Sequence, residues 1–192
     1  MNDLMITPNI SLKEIYVVTS NKGKIKELTA LLGRRLQVAD IDLSEVQSIS
    51  VKEVAIDKAM RAYSKIGKPV LVEDTGLYID SFNGFPGALV KWVYNAVGND
   101  GICSMMKNAK TRKAYAETCV CLYNGLKPKV FTSRLFGIIV ESPRDNKDFG
   151  WGPIFQPNGH KETFGEMDRK IKNTISMRAK ALAKLKKYLI SN

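Results

Sequence analysis

The stretch I-Y-V-V-T-S-N-K-G-K-I-K-E-L-T-A-L-L-G, residues 15–33, decides the fold class. Its first five residues are apolar and β-branched, which reads as a short buried strand. From Asn21 the spacing changes: Ile25, Leu28 and Leu32 recur on one face of a helix, and Gly33 stops it. A strand that turns directly into a helix is the opening of an alternating α/β chain.

The same alternation continues outward. Gln37 to Ile41 suits a second strand, and Val51 to Lys65 a helix with Val51, Val54, Ala55, Ala59 and Ala62 as its apolar stripe. Val70 to Val72 reads as a short buried strand ending at Glu73-Asp74, with Leu77 to Asp80 as a separate exposed arm. Asn83-Gly84-Phe85-Pro86-Gly87 is a rigid turn. Helical spacing returns over Val90–Val97 and Gly101–Ala109. Ala114–Tyr123 and Lys129–Val140 pair as long strands around Asn124-Gly125. After a turn-rich stretch, Asn173 to Ile190 reads as one closing helix with Ile175, Ala179, Leu182, Leu185 and Leu189 inward. The expectation is an α/β fold with a mixed sheet, one domain over residues 1–192, with residues 1–14 a loose N-terminal arm.

Composition bounds the function. The chain has 192 residues, 30 Lys plus Arg and 19 Asp plus Glu, for a net charge of +11. Such a balance suits polyanions: nucleic acid, an anionic membrane surface or phosphorylated small molecules. From Lys161 onward, nine basic residues face three acids, so the C-terminal segment holds more than half of that charge. No apolar run approaches the ~18 residues of a membrane span. Asp3 and Pro8 argue against a signal peptide. Cys103, Cys119 and Cys121 are odd in number and lack metal or redox spacing, as expected of reduced, packed thiols in a cytoplasmic setting. His160 is the only histidine, which excludes a multi-histidine metal site.

Four stretches carry chemistry. Thr19-Ser20-Asn21-Lys22-Gly23-Lys24 lies at the strand-to-helix turn, where unpaired N–H groups and lysines suit phosphate. Ile25 stands where a P-loop would have the Ser or Thr that holds magnesium, so the stretch is not one. The alternative is an N-cap flanked by solvated lysines. Leu71-Val72-Glu73-Asp74-Thr75-Gly76 places two acids at the end of an apolar strand, where they could hold magnesium or activate water. Adjacent acids in a strand point to opposite sides unless the chain turns, and Gly76 suggests that it does. Glu45 could join them around one cation, or stand as a surface acid before the next helix. Phe149-Gly150-Trp151-Gly152 could form a flat slot for a base, or a tight turn with core aromatics. Lys172 and Arg178 flank the start of the last helix as phosphate or carbonyl donors, or as solvated cations at a helix end.

Taken in order, the chain resembles the inosine triphosphate pyrophosphatase family. The matching stretches are T-S-N-K-G-K-I-K-E-L at 19–28, L-V-E-D-T-G-L at 71–77, G-F-P-G-A at 84–88 with Lys91-Trp92, F-G-W-G-P-I-F-Q-P at 149–157, T-F-G-E-M at 163–167 and K-N-T-I-S-M-R-A-K-A-L at 172–182. The resemblance implies an elongated two-lobed α/β fold with a long mixed sheet and a central cleft, and a homodimer. It implies magnesium-dependent hydrolysis of inosine and xanthosine triphosphates, or their deoxy forms, to the monophosphate and pyrophosphate. Nucleic-acid binding, the rival reading of the charge, gives no reason for the three acids.

Carried over by position, Thr19, Asn21, Lys22 and Lys24 resemble triphosphate binders, and Lys58 and Lys91 further phosphate positions. Glu45, Glu73 and Asp74 resemble magnesium ligands. Asp74 is the expected water-activating base, with Glu73 and Lys24 beside it in catalysis. Phe149, Trp151 and Gly152 resemble the base slot, which Lys172, Met177 and Arg178 close. Gly152 stands where the family carries an acid, and Met177 where it carries histidine. Both departures imply loosened base selection, or a catalytically weakened relative.

Overall fold

The computed structural model describes residues 12–33, 35–145 and 150–191. Of the expected N-terminal arm, only residues 12–14 are among them, and they form a turn. Strand β1 (Tyr16–Val18) leads into helix α1 (Lys22–Leu32). Asn21 caps that helix by accepting from the Lys24 N–H at 3.0 Å. Strand β2 (Gln37–Ala39) follows, then helix α2 (Val51–Ile66), whose Ser50 cap accepts from the Glu53 N–H.

Strand β3 (Val70–Ile79) differs from the sequence expectation. Its ten residues run unbroken through Glu73, Asp74 and Gly76, in place of two short strands and a turn. The reason is its neighbour. Every residue from Val70 to Ile79 is in antiparallel register with strand β5 (Lys113–Tyr123), from Val70↔Tyr123 to Ile79↔Ala114. A full ladder overrides the turn-like composition of the middle.

Strand β4 (Pro86–Gly87) folds back on β3, and helix α3 (Val90–Met105) follows. Its two sequence-expected halves are joined at Gly98, whose φ of 66° and ψ of −176° interrupt the helix. Strands β6 (Lys129–Ile139) and β7 (Phe155–Pro157) complete a sheet of order β2-β1-β3-β5-β6-β7 with β4 beside β3. Its β2-β1-β3 portion is parallel and the rest antiparallel. The expected single closing helix is two: α4 (Arg169–Ile175) and α5 (Met177–Ser191), separated by Ser176 in an extended conformation (ψ 150°). The break turns Met177 and Arg178 inward, and both are buried.

Two faces of the sheet are covered by different helices. Val70, Val72 and Cys119 pack under α2, while Leu71, Val120 and Leu182 pack with α1 and α5. A third core joins Leu77 and Ile79 to α3, Phe155 and Phe164. Cys103, Cys119 and Cys121 are free and buried, as expected of packed thiols. Among the described residues, no helix is long and apolar enough to cross a membrane.

Candidate active site

Strand β3 has an interrupted edge. On the side away from β5, β1 pairs with it only at Val70 and Leu71, and β4 only at Leu77 and Tyr78. The stretch between, around Glu73, Asp74 and Thr75, faces a gap. Lys24 of α1 reaches into it, and its Nζ donates to the Glu73 backbone carbonyl at 3.0 Å, a bond a neighbouring strand would otherwise make.

Because β3 continues straight, its two acids point to opposite faces, and the expected three-acid cluster does not assemble. The Glu73 side chain is 2% exposed and turns toward α5, where Arg178 lies 3.2 Å from its Oε1. Lys24 lies 3.0 Å from its Oε2, and the Thr75 hydroxyl also donates to it. Burial alone would raise this carboxyl, but Arg178, Lys24 and the Thr75 hydroxyl outweigh it and hold it at about 2. Asp74 faces α2 and keeps 17% side-chain exposure, with Lys24 Nζ at 3.9 Å from its Oδ1. Its Oδ2 is buried and accepts no hydrogen bond from the described residues. Burial, opposed by Lys24 but reinforced by the charges of Glu73 and Glu45, pushes Asp74 up to about 6.

Asp74 opens into two adjoining cavities. The larger, of about 390 Å³, has a charged end lined by Thr19, Asn21, Lys24, Glu45, Lys58 and Lys91. Its other end is walled by Trp151, Gly152, Phe164, Lys172, Met177 and Arg178. The second, of about 320 Å³, extends from the charged end beneath residues 41–48 and shares Asp74, Glu45, Lys58 and Lys91 with the first. Most of the residues singled out in the sequence therefore meet around one space. Two do not: Lys22 is exposed and does not line it, and Glu73 lies behind it. Phe149 lies outside the described residues.

Roles also shift. Thr19 and Asn21 line the cavity while organising the helix start: the Asn21 N–H donates to the Thr19 hydroxyl at 3.1 Å. Glu45 is ion-paired with Lys58, which holds its carboxyl below the ordinary value against the raising effect of burial. Arg178 and Lys172 were expected as donors closing the base slot. The structure places both on the cavity wall and ties them at the same time into a buried charge cluster behind it. Lys172 Nζ donates to Glu27 Oε1 at 2.6 Å and lies 5.3 Å from the Phe164 ring centre. Arg178 donates to Glu27, Glu73 and Thr75. Glu27, Glu73, Lys172 and Arg178 are each at most 6% exposed. Two acids facing two bases tie α1, β3, α4 and α5 together beneath the cavity.

Sequence reading missed Glu27, Thr75, Phe164 and the α3 residues Tyr94 and Asn95. Glu27 carried a signal: it sits three residues after Lys24 and beside Leu28, on the helix face that packs inward. Two of the C-terminal lysines are accounted for elsewhere. Lys184 and Lys186 donate to the carbonyls of Thr132 and Leu31 at 2.6 and 2.7 Å.

Among the described residues, no three His, Cys, Asp or Glu side chains form a ready-made metal cluster. Magnesium does not need one. It is commonly held by one or two carboxylates and completes its shell with waters and substrate phosphates. The unpartnered Asp74 Oδ2, with Glu45 across the cavity, fits that pattern.

A mixed α/β sheet with a nucleotide-sized cavity, charged at one end and aromatic at the other, defines a protein built to hold a phosphorylated ring compound. The comparisons sharpen this. Residues 15–188 match the Ham1 family, and the chain belongs to that family. It is 44% identical over 181 residues to an inosine triphosphate pyrophosphatase of Aspergillus fumigatus, covering 92% of this chain and 94% of that protein. It is 36% identical over 178 residues to a dITP/XTP pyrophosphatase of Hyperthermus butylicus, covering 91% and 94%. The solved HAM1 protein of Coxiella burnetii superposes with a TM-score of 0.80 at 28% identity, covering 93% of this chain and 98% of that one.

Proposed function

We propose that this chain hydrolyses non-canonical purine nucleoside triphosphates (ITP, dITP and XTP) to the monophosphate and pyrophosphate, and so keeps such nucleotides out of the pool. The relatives bearing those activities in their names support the substrate class. One observation carries the chemistry: a carboxylate with an unpartnered oxygen, Asp74, at the waist of two cavities and among Lys24, Lys58 and Lys91.

In this reading the triphosphate lies along the charged end. The α1 N-terminus and Lys24 hold it, and Lys58 and Lys91 face the departing pyrophosphate. Asp74, ionised above about pH 6, takes a proton from the water that attacks the α-phosphorus. Magnesium, held by Asp74 and Glu45 with the phosphates, would neutralise charge on the leaving group. Glu73 does not touch substrate; it fixes Lys24 on one side and Arg178 on the other. The ring would lie against Trp151 and Phe164, with Lys172 and Arg178, both anchored by Glu27, as donors toward a 6-carbonyl. Adenine offers an amino group there, a donor against donors, and a polar site of this kind can reject the wrong pattern by up to ~10⁴-fold.

Pyrophosphate release from ITP, XTP, GTP and ATP with magnesium tests the reading. Release from ITP and XTP that is abolished in Asp74→Asn is expected. No magnesium-dependent release from any of the four would refute it. A homodimer and a cytoplasmic location belong to the same reading, and sedimentation of the purified protein checks the first.

A further inference from the structure

Trp92 is 62% exposed, yet it lines both cavities, so it stands over their shared waist. A large, rigid aromatic ring gains favourable burial when it closes over a bound group. Lys91 Nζ lies 5.8 Å from the centre of its ring, so the charge and the ring approach the waist together. Val46, 41% exposed, lines the second cavity from the opposite loop. The waist thus joins Asp74, Glu45 and Lys58 to the apolar ring of Trp92, with Val46 beside it on the second cavity alone.

The helix that carries Trp92 is divided in its attachment. Beyond Gly98, Ile102, Cys103 and Met106 are at most 5% exposed, and Asn99 Nδ2 donates to the Gly150 carbonyl at 3.0 Å. That half is fixed to the core and to the loop bearing Trp151. Before Gly98, Val90 is buried and Val93 and Tyr94 pack partly against the core, while Lys91, Trp92, Asn95, Ala96 and Val97 are exposed, so this half is held along one face only. Gly98, with φ near +66° and ψ near 180°, occupies a region essentially reserved for glycine, and it separates the two halves.

Resting on the proposed function, we infer that Trp92 is a substrate-covering residue: it closes, with Lys91, over the phosphate that reacts at Asp74. No covalent step is involved. Closure removes bulk water from above the waist and strengthens the attraction between the lysines and the phosphates in the lowered dielectric. The ring gains burial only when nucleotide is present, which explains why it is left in solvent otherwise.

The chain contains two tryptophans, Trp92 and Trp151, so Trp151→Phe leaves Trp92 as the sole reporter. Acrylamide quenching of that variant is measured with and without α,β-imido-ITP and magnesium, with binding followed as inhibition of ITP hydrolysis. Quenching should fall at least about threefold on binding. In the otherwise natural chain, Trp92→Ala should raise KM for ITP roughly tenfold with a smaller change in kcat, and Trp92→Phe should recover most of it. Unchanged quenching while the analogue inhibits, or a natural KM in Trp92→Ala, overturns the inference. So does protection that follows protein concentration and not nucleotide, which would mean that a second copy covers the ring. If the natural chain with Trp151 intact does not hydrolyse ITP, the proposed function falls and takes this inference with it.

Discussion

Glu27→Gln isolates the buried charge cluster. The substitution keeps size and one acceptor oxygen but removes the charge that balances Lys172 and Arg178. The only carboxylate then left to the cluster is Glu73, which Lys24 also shares. The partners are desolvated, with side-chain exposures of 7% for Lys172 and Glu27 and 4% for Arg178, so solvent screening offers little relief. Removing one partner of such a group costs about 3–5 kcal/mol. For the amide, which still accepts hydrogen bonds, the lower end applies, about 3 kcal/mol. In a chain of this size each kcal/mol lowers the melting temperature by about 2–4 °C, so Glu27→Gln should melt about 6–12 °C early. Circular dichroism melts give the shift, and ITP hydrolysis at a temperature where the variant is folded gives the functional effect. Lys172 and Arg178 lose their anchor, so KM should rise. Glu45→Gln is the contrast: its partner Lys58 is 21% exposed and Glu45 34%, and such pairs are worth about 1 kcal/mol or less. Equal melting temperatures for Glu27→Gln and the natural chain would refute the view that the cluster is desolvated and mutually dependent.

Four further outcomes follow. Asp74 is raised to about 6 partly by Glu45, so in the metal-free protein its carboxyl, followed by NMR, should titrate lower in Glu45→Gln than in the natural chain; an unmoved titration would break the link. Glu73 is depressed to about 2 from 4.5, so its contribution to stability is complete above pH 4.5 and is lost as pH falls toward 2; urea midpoints between pH 5 and pH 2.5 should show this decline. A Cβ at Gly76 would stand 2.7 Å from the Gly87 carbonyl carbon and 2.9 Å from the Ala88 nitrogen, both backbone, so Gly76→Ala should destabilise by about 1–3 kcal/mol, as a urea titration would record. Finally, Gly152→Asp combined with Met177→His should sharpen the preference for ITP over GTP, read as the ratio of pyrophosphate release rates.

The helices were legible because their ends are written in local chemistry: Asn21 and Ser50 cap the starts, and Gly33 and Gly67 the stops. The paired strands β5 and β6 were legible from their length and the Asn124-Gly125 turn. Thr19, Asn21, Lys24 and Asp74 were legible from their place beside strand ends, whereas Lys58, Lys91 and Met177, which lie on helices, came only through the family resemblance. What was hidden depends on pairing across long separations. Gly76 reads as a turn residue, but here it lets β4 pass close by, while the β5 ladder keeps β3 straight. Lys172 and Arg178 read as solvated or ligand-facing cations, because nothing near them in sequence shows that Glu27, about 150 positions away, will bury them. The break at Ser176 was masked by helical spacing on either side.

The straightness of β3 has an evolutionary corollary. Glu73 and Asp74 are the same chemical group one position apart, and only strand parity separates an anchor for Arg178 from a carboxylate in the cavity. Slipping the chain by one residue would exchange them, sending each into the wrong compartment together with every core side chain of the strand. Insertions in the loops around the cavity can accumulate without touching that frame. A single inserted residue between Val70 and Asp74 cannot be absorbed in this way, because it breaks the register with β5 and reverses the two carboxylates.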